Sequence, residues 1–222
     1  YVVNGEPLGL VYEISDGGAH GKVVALKAHR DLNLWYRTGL PYDEIHPEDP
    51  NNVGVIARSE TDGQENMKAY KQIPDWKTHY PVAAYVSDLN DENGNPGWYL
   101  PAIKEVQAMV GWIDGEVLSP DGEAGQEPSE AMKEKRKAIN QLIVDNGGNE
   151  FYFYGYDVSF IIDQTNAWEA DYFNRIYTST ETDYQVHPMV FKFYLRNGWW
   201  ETMHVYGDLA GSYREVRPFL AF

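Results

Sequence analysis

The sequence predicts an α+β fold of small antiparallel sheets, two helices and long loops, organised as one domain over residues 1–222. Three observations predict it. Turn-punctuated strand patterns lie near both ends of the chain, two capped amphipathic segments lie in the middle, and stretches rich in Pro, Asn, Asp and Gly connect them.

At the start, Gly9 to Ser15, the glycine-rich run Asp16 to Gly21, and Lys22 to Leu26 read as strand, turn and strand. Near the end, Met189–Arg196 and Trp199–Tyr206 flank Asn197-Gly198, a dipeptide suited to a two-residue hairpin turn because both positions need positive φ. Such a turn pairs Arg196 with Trp199 and Tyr194 with Glu201. Alternation then puts Lys192, Tyr194, Arg196, Trp199, Glu201 and Met203 on one face. Met189, Phe191, Phe193 and Leu195 fall on the other with Trp200, Thr202, His204 and Tyr206. The final segment, Glu215–Phe222, reads as a strand tied into a sheet, so that the terminal strands pair.

Between these ends, Pro101–Gly111 places Ile103, Val106, Met109 and Val110 on one helical face, with proline suited to the first turn and glycine to the end. Ser129 can cap a second helix with Met132, Ile139, Leu142 and Ile143 inward, stopped by Asn146-Gly147-Gly148. Residues 41–81 read as long loops with a short helix around Glu65–Lys71, and Asp88–Pro96 reads as a solvated turn.

Composition narrows the function. The 222 residues carry 34 acidic against 18 basic side chains, a formal charge of −16, so phosphate backbones and anionic lipid surfaces are repelled and nucleic acid is not an expected partner. No stretch approaches the roughly 20 apolar residues of a membrane helix, and the mean hydropathy is −0.54. With no cysteine there is no disulfide, thiolate metal site or cysteine nucleophile. The six histidines do not form a zincin-like pair, so no metal or other cofactor is expected. Asp88–Pro96 lacks the glycine and the bidentate Glu of a calcium loop: Asn93 and Tyr99 stand at those positions. The run Gly17–Lys22 lacks the spacing, the following Ser/Thr and the helix of a phosphate loop.

Residues 151–222 hold 20 of the 32 aromatic residues, a concentration that suits a ligand surface and a packed β core alike.

Four segments in order carry a family resemblance. They are the opening strand-turn-strand, Gly97-Trp98-Tyr99-Leu100-Pro101 before a helix with Glu105, the run Tyr177-Thr178-Ser179-Thr180-Glu181, and the terminal Val216–Phe222. From Gly9 to Phe222 the chain resembles the Lcl-type C-terminal domain family of bacterial surface proteins, which has a C-type-lectin-like fold. The resemblance implies that Trp98, Leu100, Ser179, Thr180, Glu181 and Arg217 are structural residues. Calcium-dependent lectins of this fold use triplets from which Glu127-Pro128-Ser129 and Trp168–Asp171 depart at the coordinating positions. Formylglycine-generating enzymes of related fold rely on cysteines that this chain lacks. The ending is also similar to the variable proteins of diversity-generating retroelements, which display side chains in the region matching Tyr172, Asn174, Tyr184, His187, Trp199, His204, Tyr206, Asp208 and Tyr213.

Together, residue pattern and resemblance lead to the expectation of a non-enzymatic, extracellular or cell-surface adhesion module that binds a carbohydrate or a protein. The expected contact residues are Tyr172, Asn174, Tyr184, His187, Tyr194, Arg196, Trp199, Trp200, Glu201, His204, Tyr206 and Asp208. A chain starting at Tyr1 rather than Met suggests a trimmed chain or a mature protein from which an export signal has been removed, and allows for surface anchoring upstream of residue 1. Two alternatives are a glycan-active hydrolase using a carboxylate pair and a structural subunit of a surface assembly.

Overall fold

The computed structural model describes residues 1–29, 56–92, 97–115, 128–151, 175–181, 188–193, 200–204 and 214–222. The fold is α+β. It opens with a small hairpin, β1 (Val2–Val3) and β2 (Glu6–Pro7), turned by Asn4 and Gly5 at φ 52° and 86°, the positive values that a tight two-residue turn requires.

Strands β3 (Gly9–Ser15) and β4 (His20–Ala25) form the expected antiparallel hairpin around Asp16-Gly17-Gly18, with a bulge between Val11 and Glu13. The last strand, β9 (Phe219–Ala221), pairs antiparallel with β4 through Lys22↔Ala221, Val23↔Leu220 and Val24↔Phe219. The first long strand and the last strand thus share one sheet of order β3-β4-β9. Tyr99 bridges to Phe219 through reciprocal backbone bonds of 2.8 and 2.9 Å, which brings Trp98-Tyr99-Leu100 against this sheet.

The second sheet has the order β7-β6-β5-β8, from β5 (Arg175–Glu181), β6 (Pro188–Phe193), β7 (Trp200–His204) and β8 (Arg214–Glu215). Its β5–β6 and β6–β7 pairs are antiparallel, whereas β8 runs parallel to β5. The C-terminal segment is therefore not the one strand that its pattern suggests. Arg214–Glu215 belongs to one sheet and Phe219–Ala221 to the other. Pro218 has no N–H to give a ladder, and the buried Arg217 occupies the crossing between them.

Five α-helices lie among the described residues, where the sequence pattern suggests two and a short third: α1 (Gly63–Tyr70), α2 (Trp76–His79), α3 (Pro81–Glu92), α4 (Ile103–Asp114) and α5 (Glu130–Asp145). Asp62 caps α1 by accepting from the Glu65 N–H at 2.9 Å, and Ser129 caps α5 through the Met132 N–H at 3.3 Å. Helix α3 replaces the expected turn at its Asp88–Glu92 end. Val82, Ala83 and Val86 are buried at helical spacing. Its last turn is then fastened by Asn90, whose Oδ1 accepts from the N–H groups of Gly97 and Trp98 and whose Nδ2 donates to the Trp98 carbonyl.

Helix α4 buries Ile103, Val106, Met109 and Val110 as its pattern requires, but it runs on past Gly111 and ends at Gly115, φ 76°. It packs against β3, β5, β6 and α5. On α5 the inward positions are Arg136, Asn140 and Ile143, while Met132 and Ile139 are half-buried and Leu142 is 45% exposed. The inward stripe is polar because its partners are polar: Arg136 forms a two-point ion pair with the buried Asp114, and Asn140 exchanges bonds with the Phe151 backbone at 2.6 and 2.8 Å.

Candidate functional site

Of the twelve expected contact residues, Trp200, Glu201 and His204 are placed, all on β7. Tyr172, Asn174, Tyr184, His187, Tyr194, Arg196, Trp199, Tyr206 and Asp208 lie outside the described residues. So do the Asn197-Gly198 turn and both lectin-like triplets except Pro128 and Ser129.

The observed β6–β7 register pairs Lys192 with Glu201, Phe193 with Trp200 and Met189 with His204. A two-residue turn at Asn197-Gly198 would instead pair Lys192 with Met203, so that expected register is displaced by two residues. A shift of two conserves the side-chain alternation. Lys192 and Glu201 are register partners, as are Phe193 and Trp200. Across the sheet the registers align Glu201, Lys192, Arg175 and Arg214 in one row from β7 to β8. Among the described residues β7 has a strand neighbour on one side only, so its three candidate residues lie on a sheet edge.

The opposite end of β5 is held by the core. Ser179, Thr180 and Glu181 are all buried. The Ser179 N–H donates to the Pro101 carbonyl at 2.7 Å, and Tyr70 Oη donates to the Ser179 carbonyl at 2.7 Å. Asn66 Nδ2 donates to Ser179 Oγ at 3.0 Å. Thr180 Oγ1 accepts from the Ile103 N–H at 3.0 Å and donates to the Ser59 carbonyl at 2.9 Å. Glu181 Oε2 accepts from the N–H groups of Ile56 and Ala57 at 2.9 and 3.2 Å. These bonds lock β5 to α1, the start of α4 and the 56–59 segment, and through β5 they set the position of the whole second sheet.

A second buried carboxylate joins the first sheet to the starts of α1 and α4. Glu105, 4% exposed, accepts at Oε2 from the N–H groups of Gly63 and Ala102, and at Oε1 from Tyr99 Oη and Lys22 Nζ, all within 2.8–3.0 Å. Gly63 must be glycine for this approach, because a Cβ there would sit 2.3 Å from the Leu100 carbonyl oxygen. Burial, and then the Glu105 charge, push the Tyr99 hydroxyl far above its ordinary pKa of 10.0. Burial and then Glu105 do the same to Tyr12.

That shift carries a pH prediction. Below pH 10 both tyrosines are neutral in either state; above it the unfolded chain releases protons that the folded chain retains, so stability falls as pH rises. We expect the unfolding free energy from urea titrations to drop from about pH 10 upward, approaching about 1.4 kcal/mol per tyrosine per pH unit, and the slope to ease in Tyr99→Phe. A flat profile to pH 11.5 would contradict this.

The six residues that the family resemblance marks as structural, Trp98, Leu100, Ser179, Thr180, Glu181 and Arg217, are all buried. Sequence reasoning missed Asn66, Asn90 and the Arg136–Asp114 pair. The only signal for them is a polar residue at a position of the inward face. Among the described residues no three His, Asp or Glu side chains converge as a metal site, and no helix is long and apolar enough to cross a membrane. In comparison with known proteins, the chain matches no family model, no curated protein and no solved structure.

Proposed function

We propose that the chain is a single C-type-lectin-like domain that serves as a non-catalytic, extracellular binding or adhesion module, recognising a carbohydrate or a protein through its aromatic-rich C-terminal third. The observation that carries this reading is the contrast within the second sheet. Its β5 end is locked by buried hydrogen bonds, whereas β7, with Trp200, Glu201 and His204, forms an edge among the described residues. A rigid scaffold that presents rings and polar groups at one edge is how binding surfaces are commonly built.

The sharing of one sheet by β3, β4 and β9 supports the lectin-like architecture, as does the burial of the six residues named above. The buried carboxylates support a non-catalytic role. Glu105 and Asp114 are each saturated by backbone, hydroxyl or cationic donors, and Glu215 is paired with Arg217.

A glycan array probed with the purified chain, in Ca²⁺ and in EDTA, together with a pull-down for protein ligands, tests the proposal. Trp199→Ala is expected to weaken binding by about 1–4 kcal/mol, the range of hot-spot truncations, with an unchanged melting temperature. Binding that survives this change and Trp200→Ala alike, or that disappears only together with the fold, would refute the aromatic surface as the contact.

A further inference from the structure

The geometry points to a second ligand site, a cleft between β2, the end of β4, α3 and the last turn of α5, which takes a small zwitterion with an apolar body, the size of a dipeptide. The cleft encloses about 430 Å³, within the roughly 300–1,000 Å³ typical of small-molecule sites. Its apolar lining comes from Leu8, Leu26, Leu89 and Pro218 together with Tyr85 and Trp98. The Leu26 N–H donates to the Leu8 carbonyl at 3.0 Å, which ties two parts of this lining together, and Asn90 accepts from the Trp98 N–H.

Two opposite charges accompany this apolar lining, Glu6 on β2 and Lys27 just after β4. Both are exposed, and neither side chain forms a hydrogen bond or an ion pair among the described residues. The C-terminal turn of α5, with Asn146 and Gly147, also borders the cleft, next to the end of β4, where the Asn149 N–H donates to the Leu26 carbonyl at 2.9 Å. A ligand ammonium therefore meets Glu6, and a ligand carboxylate meets Lys27. The field of a chain at −16 opposes a simple anion. A neutral polyol would leave both rim charges unanswered. A zwitterion with an aliphatic or aromatic body matches every wall.

Isothermal titration of the full chain with leucyl-leucine tests this. One-to-one binding is expected, weakened about two- to fivefold by Lys27→Gln and by Glu6→Gln, the effect of losing one exposed charge contact. Both positions are exposed, so the variants retain the fold. Trp199→Ala should leave dipeptide binding intact, which separates this site from the C-terminal surface. Equal binding of acetyl-leucyl-leucine amide, binding of maltose in place of the dipeptide, loss of binding in Trp199→Ala, or no heat from any probe would each overturn the proposal.

Discussion

Arg217→Met is expected to lower folding stability by about 3–5 kcal/mol, the cost of breaking a buried ion pair, which is a large part of the roughly 5–15 kcal/mol that holds a domain together. The guanidinium is fully buried. It pairs with Glu215, donates to the carbonyls of Ala25 and Leu26 at 3.1 Å and of Asn149 at 2.7 Å, and lies 4.0 Å from the centroid of the Phe151 ring. One planar fork with several N–H donors thus ties the end of β4, the segment after α5 and β8 into one joint. Methionine fills much of the space but leaves a carboxylate and three carbonyls facing apolar surroundings. Urea unfolding followed by tryptophan fluorescence measures the loss. The double variant with Glu215→Leu should recover the part due to the stranded carboxylate and no more. A loss below about 1 kcal/mol, the scale of a single ordinary hydrogen bond, would show that the carbonyls find other donors.

Glu105→Ala should cost a similar amount, about 3–5 kcal/mol, through a different route. Here the acceptor is removed and the donors are stranded. The N–H groups of Gly63 and Ala102 lose their partner where α1 and α4 begin, and Tyr99 Oη loses its acceptor beneath the sheet. Lys22, whose side chain is 26% exposed, can turn to water. Glu105→Gln keeps one acceptor oxygen for the two backbone donors but presents an amide N–H₂ toward Lys22, so about half of the loss should remain. Equal stability of the Ala and Gln variants would mean that the contacts at Oε1, from Lys22 and Tyr99, contribute the whole effect.

These two residues show what the chain makes legible and what it hides. The β3–β4 hairpin could be read because Asp16-Gly17-Gly18 marks a turn between apolar runs, and α4 could be read because Ile103, Val106, Met109 and Val110 recur at helical spacing. Helix α3 was hidden by its own C-terminal half, where Asp88, Asn90 and Glu92 look like a loop and Asn90 is in fact a brace. The inward face of α5 was misjudged because a hydrophobic stripe cannot reveal a helix that buries Arg136 against Asp114. The expected β6–β7 register rests on Asn197-Gly198 forming the shortest possible turn; the pairing of Phe193 with Trp200 places six residues, 194–199, between the paired positions in place of two. Of the candidate site, the strand carrying Trp200, Glu201 and His204 was legible from alternation. The network that locks β5 was not, since it joins residues far apart in sequence.

That remoteness governs how the chain reaches its native state. Glu181 meets Ile56 across 125 positions and Arg217 meets Ala25 across 192, and β4 acquires its second neighbour only from Phe219–Ala221. Closing such long loops costs entropy before any contact returns it, and topologies of this kind fold on the millisecond-to-second scale rather than in microseconds. During synthesis β4 is complete long before Phe219–Ala221 has been made, and one of its edges stays open until that strand arrives. Closure of this sheet therefore waits on Phe219–Ala221 and is a late, nearly all-or-none event.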